Sequence, residues 1–277
     1  MFSPICSMSA NETGNQLLAS LPREAWQLFN AEIERVELTQ GRTLQEAGKP
    51  LQWAYFPITA VVSLVMGMRD GGSAEVAVVG NEGMVGVCAL MGAGGALSGG
   101  VVQTAGQCWR LPARVLAGHA AAQAALMQPF MRYTQALFVQ LAQTSACQRR
   151  HAVQQQLCRW LLLHLDRHRG NDLLVTHERI ADLLGVRRES VTASALKLQR
   201  AGLIRYVRGH IVVLDREGLE AESCECYGVV KTAYDRLEGG TALPASAPPV
   251  HRHLGVVHSL PSAPPPALRH QAFALAR

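Results

Sequence analysis

The sequence predicts an α+β chain: an N-terminal β-roll (a double-stranded β-helix), then a long helix, then a C-terminal winged helix-turn-helix. Three observations predict it. Residues 174–214 read LVTHERIADLLGVRRESVTASALKLQRAGLIRYVRGHIVVL, the pattern of a helix, a turn at Gly185, a basic-headed helix and two short strands. From about Val36 to Leu111, short β-branched runs alternate with glycine and lack the strand-helix alternation of a parallel sheet. From Pro112 to about Gln148 the apolar residues recur at intervals of three and four, the period of a helix.

Taken in order, residues 1–15 are small and polar and are expected to be mobile. Asn15 to Phe29 suits a short amphipathic helix interrupted at Pro22, with Leu17, Leu18, Leu21, Trp26 and Phe29 on one face. Val61–Met66 and Ala74–Val79 flank Asp70-Gly71-Gly72, a hairpin signal. Val101–Thr104 and Cys108–Leu111, joined through Gly106, are expected to form a second such pair. On the helix that follows, Leu126, Phe130, Tyr133, Leu137, Leu141 and Thr144 make one apolar stripe, expected to be a dimer seam. After Arg149-Arg150 comes a second apolar helix (Val153, Leu157, Trp160, Leu161, Leu165), then a loop at Arg169–Asp172 and the helix-turn-helix. Past Leu237 the chain turns rich in Pro, Ala and His without apolar periodicity, which predicts a disordered tail. The expected division is 1–15, 16–148 (with the dimerisation helix at about 124–148), 149–237 and 238–277.

Hydrophobic residues at 48% and charged residues at 17% describe a globular chain, and 277 residues suffice for two small domains. Between Arg149 and Arg216 there are 13 Lys/Arg against 6 Asp/Glu, a local excess larger than the +5 of the whole chain. Positive charge is thus gathered on the segment with the helix-turn-helix pattern. The chain has no apolar run long enough to span a bilayer and no secretory pattern at its start, and its cysteines number seven, an odd count. These point to a cytoplasmic protein with reduced thiols and no membrane partner.

The head of the second helix carries the chemistry. In a helix-turn-helix this end enters the major groove, where an Arg donates two hydrogen bonds to guanine and a Glu accepts from cytosine. Arg188 is the expected principal base reader, with Arg187, Glu189 and Ser190 beside it. Thr176, His177, Thr192, Lys197, Arg205 and Arg208 are candidate phosphate contacts, and Arg208-Gly209-His210 the expected wing tip. No Ser-His-Asp, Cys-His or paired-carboxylate arrangement stands out, so an enzyme is not expected.

The order of β-roll, long helix and winged helix resembles the Crp/Fnr family of bacterial transcription regulators over roughly residues 17–230. The most specific match is GVRRESVTASALKLQRAGLIRY, which is similar to that family's G-x-x-R-E-[ST]-V…L…GLI signature. The resemblance implies that Arg188 and Glu189 are the base-reading pair. It also implies a homodimer on a pseudo-palindromic double-stranded DNA operator, with RNA polymerase as a further candidate partner. Many members carry another Arg four residues after the Glu; Ala193 stands there, so readout beside the pair should differ.

The sensor half departs from the family pattern. Members that bind cyclic nucleotides use a motif resembling G-E-L…R-[ST]-A, with a Glu for the ribose and an Arg for the phosphate. Here Gly86-Val87-Cys88-Ala89-Leu90 and Ala96-Leu97-Ser98-Gly99 match it, with Val87 at the Glu position and Leu97 at the Arg position. A phosphate buried without a cation is strongly disfavoured, so a signal other than cyclic nucleotide is expected at the degenerate pocket around Gly86, Val87, Leu97 and Ser98. Haem or another effector stays open, since a single axial His leaves no sequence signal. Only Cys6 lies near the N-terminus, which argues against an iron–sulfur cluster. No metal site is expected either: Cys224-Glu225-Cys226 lacks a second pair at zinc spacing and is read as exposed thiols on a terminal helix, and His119, His151, His164 and His168 show no ligand spacing.

Overall fold

The computed structural model describes residues 13–92 and 95–238, so the expectations for residues 1–12 and for the tail beyond 238 lie outside the described residues. The expectation of mobility does not hold at residues 13–15. Thr13 and Asn15 are buried, and the Asn15 amide donates to the carbonyls of Pro57 and Gly83 at 2.8 and 2.9 Å. Its oxygen accepts from the Leu18 amide and so caps α1 (Gln16–Ala19). A side chain with all these polar groups engaged pins the segment to two loops of the roll. Pro22 ends that turn and precedes α2 (Arg23–Phe29).

Seven strands follow: β1 (Glu34–Leu38), β2 (Thr43–Gln45), β3 (Trp53–Pro57), β4 (Val61–Gly67), β5 (Ser73–Val79), β6 (Gly99–Thr104) and β7 (Gly106–Pro112). They form two antiparallel sheets, ordered β1-β7-β3 and β2-β6-β4-β5. The Asp70-Gly71-Gly72 signal lies where expected, between β4 and β5. There Gly71 takes φ +87° and the Met68 amide donates to the Gly72 carbonyl at 2.8 Å. The second expected hairpin does not form. β6 is flanked on both edges by β4 and β2, so no edge remains for β7, which crosses to the other sheet between β1 and β3. Gly106 makes the crossing: a Cβ there would fall 2.5 Å from Thr59 Oγ1 and 2.6 Å from the Ala60 nitrogen.

Two helices follow, α3 (Ala113–Ala122) and α4 (Ala124–Arg150). The apolar stripe on α4 is not a dimer seam. Leu126, Phe130, Tyr133, Leu137 and Thr144 are buried within the chain itself, against the roll and against α9 (Glu225–Glu238), and Leu141 is half-buried beside them. Tyr133 donates to the Met84 carbonyl at 2.8 Å, and its ring lies 2.1 Å from where a Cβ on Gly83 would be, so only glycine lets α4 approach. Tyr234 of α9 donates to Gln140 at 2.7 Å. What α4 leaves outward is a different face, with Met131 58% and Phe138 56% exposed.

Beyond α4 come α5 (Val153–Leu165), β8 (Asp172–Leu174), α6 (His177–Leu184), α7 (Arg188–Arg200), β9 (Ile204–Val207), β10 (His210–Val213) and α8 (Arg216–Ala221). β8, β10 and β9 form an antiparallel three-stranded sheet with β10 in the centre. Two buried polar contacts, one of them an ion pair, seat α5 and its end on the roll. His164 meets Glu75 at 3.2 Å, with the Ser63 hydroxyl also donating to Glu75, and Arg167 Nε meets Glu82 at 2.6 Å. Arg167 also donates to the Leu163 carbonyl and lies over the Tyr234 ring. Cys224 and Cys226 are buried, 4% and 2% exposed, and cluster with Cys147, which corrects the expectation of exposed thiols.

Candidate nucleic-acid interface

α6 is built as a packed support. Ile180, Ala181, Leu183 and Leu184 face the core, and the Thr176 hydroxyl caps the helix by accepting from the Arg179 amide at 3.2 Å. Gly185 then takes φ +66°. Its amide donates to the Asp182 carbonyl at 3.2 Å and the Val186 amide to the Ala181 carbonyl at 3.0 Å, a Schellman ending that needs the left-handed residue. The chain is thereby turned straight into α7.

On α7, Val191, Ser194, Ala195 and Leu198 face inward, which leaves Arg187, Arg188, Glu189, Ala193 and Lys197 in solvent, with Ser190 half-buried. Arg188 Nη1 lies 3.1 Å from Glu178 Oε2, both side chains about two-thirds exposed at 65% and 66%. Such an exposed pair contributes only about 0–1 kcal/mol, little to set against a bidentate bond to a base. Arg205 lies exposed on β9. The wing turn is a two-residue one: Arg208 at φ +49°, the one positive φ on a non-glycine among the described residues, is followed by Gly209 at φ +84°. That turn sets the Arg208 side chain out at the tip.

His177 and Thr192 are placed differently from the rest. His177 is buried, stacks on Tyr206 at 3.9 Å between ring centroids, and has its Nδ1 3.2 Å from the Thr192 hydroxyl. The two tie α6, α7 and the wing together, which makes them positioning groups for this surface. Burial, and after it the positive charge of Arg188, lower the His177 pKa below the usual imidazole value. The native state therefore prefers neutral His177. As pH falls below about 6.5 the unfolded chain takes up this proton first, so stability present at pH 7.5 is lost on the acid side. Urea unfolding at pH 7.5 and 5.5 should show a smaller acid loss in His177→Phe, which keeps a ring on Tyr206, than in the wild type. An equal loss in both would assign the acid sensitivity elsewhere.

In the roll, Val87 is buried in a short 3-10 helix (Val87–Met91) entered through Gly86 at φ +94°. Leu97, in contrast, is 66% exposed, and the Ser98 carbonyl accepts from Gln45 at 3.0 Å. The two motif positions thus face different surroundings. Among the described residues of the roll, the buried charged side chains are Glu75 and Glu82, both acids. A cavity that the sequence did not suggest opens between the roll and the wing, lined by Gln40, Gln103, Thr176, Arg179 and Arg208, with Gln40 donating to the Leu174 carbonyl at 3.0 Å. It arises from residues far apart in the chain, so no local motif could mark it.

This architecture has the fold of the solved Crp/Fnr structures, with a Crp-like helix-turn-helix. Residues 155–222 match the sequence profile of the Crp-like helix-turn-helix domain. No curated protein matches the chain at a significant level. Among solved structures, the chain is similar to a protein of Eubacterium rectale assigned to the crp/fnr family of transcriptional regulators (18% identity, TM-score 0.60, 74% of this chain and 96% of that one). It is similar also to FixK2 of Bradyrhizobium japonicum (15% identity, TM-score 0.58, 69% and 98%). A third is TTHA1359, a CRP/FNR-family transcriptional regulator of Thermus thermophilus (22% identity, TM-score 0.57, 69% and 98%). At these identities the likeness is one of fold. No helix among the described residues is long and apolar enough to cross a membrane.

Proposed function

We propose that the chain is a sequence-specific DNA-binding transcription regulator that acts as a homodimer on a pseudo-palindromic operator. The observation that carries this reading is the solvent-exposed Arg187-Arg188-Glu189 head of α7, held out by the Gly185 turn and flanked by Arg205, Arg208 and Lys197. Arg188 reads a base, and the flanking cations contact phosphate. Selection of sites from random duplex DNA followed by mobility shifts tests it. Arg188→Ala should cost about 1–3 kcal/mol on the selected site and relax one base position, while Lys197→Ala weakens all sequences alike and lowers the salt slope by about one. Equal losses for Arg188→Ala on selected and random DNA would sink the readout assignment.

The controlling signal on this reading is not a cyclic nucleotide bound in the usual manner. Buried Val87 and exposed Leu97 offer a ribose and a phosphate no polar partner, and the buried charges of the roll are acidic. Calorimetric titration with cyclic AMP and cyclic GMP should give no saturable heat; micromolar binding of either would overturn it.

A further inference from the structure

Four side chains that the DNA-binding surface does not use converge at the joint between α4 and α5. Cys147 lies in the last turn of α4 and His151 is the residue that ends it. Cys224 immediately precedes α9 and Cys226 lies in its first turn. The Cys147 and Cys224 sulfurs are 3.5 Å apart, and the Cys226 sulfur is 3.6 Å from His151 Nδ1. All four ligand atoms lie within 4.8 Å of one another, and the three cysteines are buried. We propose that these residues form a Cys3His site for a tetrahedral divalent zinc ion.

The dimensions suit that ion. With zinc–sulfur bonds of about 2.3 Å, tetrahedral geometry sets neighbouring sulfurs about 3.8 Å apart, with sulfur to nitrogen slightly less. The separations across these two pairs are within a few tenths of an ångström of that. Cys147 and Cys224 are well beyond the ~2.05 Å of a disulfide, so no covalent bond joins them. A second observation concerns the imidazole. With Nδ1 turned to the sulfurs, His151 Nε2 lies 3.3 Å from Glu225 Oε1, the outer carboxylate that fixes the tautomer of a metal-bound histidine. A third concerns charge. Binding releases three thiol protons and leaves three thiolates, one neutral imidazole and one Zn2+, a net charge of −1. Buried Arg159, which donates to the Thr144 hydroxyl at 2.7 Å, one helical turn before Cys147, places a positive charge nearby that offsets it.

Four protein ligands close the coordination sphere, so the site is structural, with no open position for substrate. Its place gives it a specific task. The link from α4 to α5 is residues 151–152, and the ion would fasten that link to the start of α9, which packs along α4. The joint through which the roll connects to the helix-turn-helix would then be held by metal. Loss of the ion would release it.

The test uses full-length protein without a histidine tag, purified under reducing conditions. Elemental analysis should find about one zinc per chain. Cobalt exchanged into the site should show the intense visible bands of a tetrahedral thiolate complex. Cys224→Ser and His151→Ala should lose the metal, Glu225→Gln should bind it about 10-fold more weakly, and Cys88→Ser, on the roll, should leave it unchanged. A chelator should lower the melting temperature of the wild type but not that of Cys224→Ser. Metal-free protein, or a Cys147–Cys224 disulfide in its place, would overturn the proposal even if the variants fail to fold. Retention of full zinc by Cys224→Ser would do so as well.

Discussion

Replacing Glu82 by Ala should destabilise the protein by about 3–5 kcal/mol, the largest loss expected of any single charged residue in it. Arg167 is only 7% exposed; its Nε is bonded to Glu82 at 2.6 Å, and its Cβ and Cγ lie where any side chain on Gly80 would be. Removing the carboxylate leaves a buried guanidinium without its counter-charge, and also takes an acceptor from the Gly80 amide. The cost comes from the charge left behind. The double variant Glu82→Leu/Arg167→Met should therefore recover most of the loss, because an apolar pair of similar volume replaces both ions. Arg216→Ala removes the half-buried arginine that bridges Glu220 and Asp166, and should cost less than Glu82→Ala because water still reaches that group. Urea denaturation of the four proteins separates these outcomes. A Glu82→Ala protein within about 1 kcal/mol of the wild type would mean that water or another acceptor reaches Arg167.

Phe138→Glu should convert the proposed dimer to a monomer and weaken operator binding by about 100-fold or more, since two half-sites held together gain roughly 10²–10⁴ in avidity over one. Met131 and Phe138 are two helical turns apart on the outward face of α4, both more than half exposed. On a two-fold axis, a Glu at position 138 would face its own copy, so like charge opposes association. Because Phe138 is exposed in the protomer, the fold itself should be unaffected. Sedimentation of the variant beside the wild type decides the matter: a Phe138→Glu protein that stays dimeric would move the interface off this face.

What could be read from the sequence was what local chemistry determines. Asp70-Gly71-Gly72 names its turn without help from distant residues, and Gly185 before a basic-headed helix does the same for the α6–α7 turn. Periodicity on α4 correctly marked Leu126 to Thr144 as a buried face. Period alone, however, states that a face is covered and not by what; the roll and α9 supply the cover, and the outward face carries too few apolar residues to produce a pattern. The β6–β7 crossing was hidden for a related reason, because pairing depends on which strand edges are already occupied by β2 and β4. Cys224 and Cys226 by themselves carry no local sign of burial. Cys147 and His151 stand four apart, on one face of a helix end, and that pair supplies the other half of the proposed zinc site. In the helix-turn-helix, reading residue types without their neighbours grouped His177 with the phosphate contacts, whereas Tyr206 and Thr192 hold it inside.

The central position of β7 also has a consequence for the chain as it is synthesised. Glu34 pairs with Arg110, and β3 pairs with β7 as well, so the β1-β7-β3 sheet has no hydrogen-bonded pair until its last strand has been made. At about 5–20 residues per second, the interval between these two residues takes roughly 4–15 s. Until β7 is made, β1 lacks its strand partner and β3 has only the Tyr55–Val85 bridge, while the β4–β5 hairpin can close at once. The nascent roll is thus most open to aggregation and to chaperone capture in the seconds before Pro112 emerges, and slowing translation between β3 and β7 should lengthen that vulnerable interval.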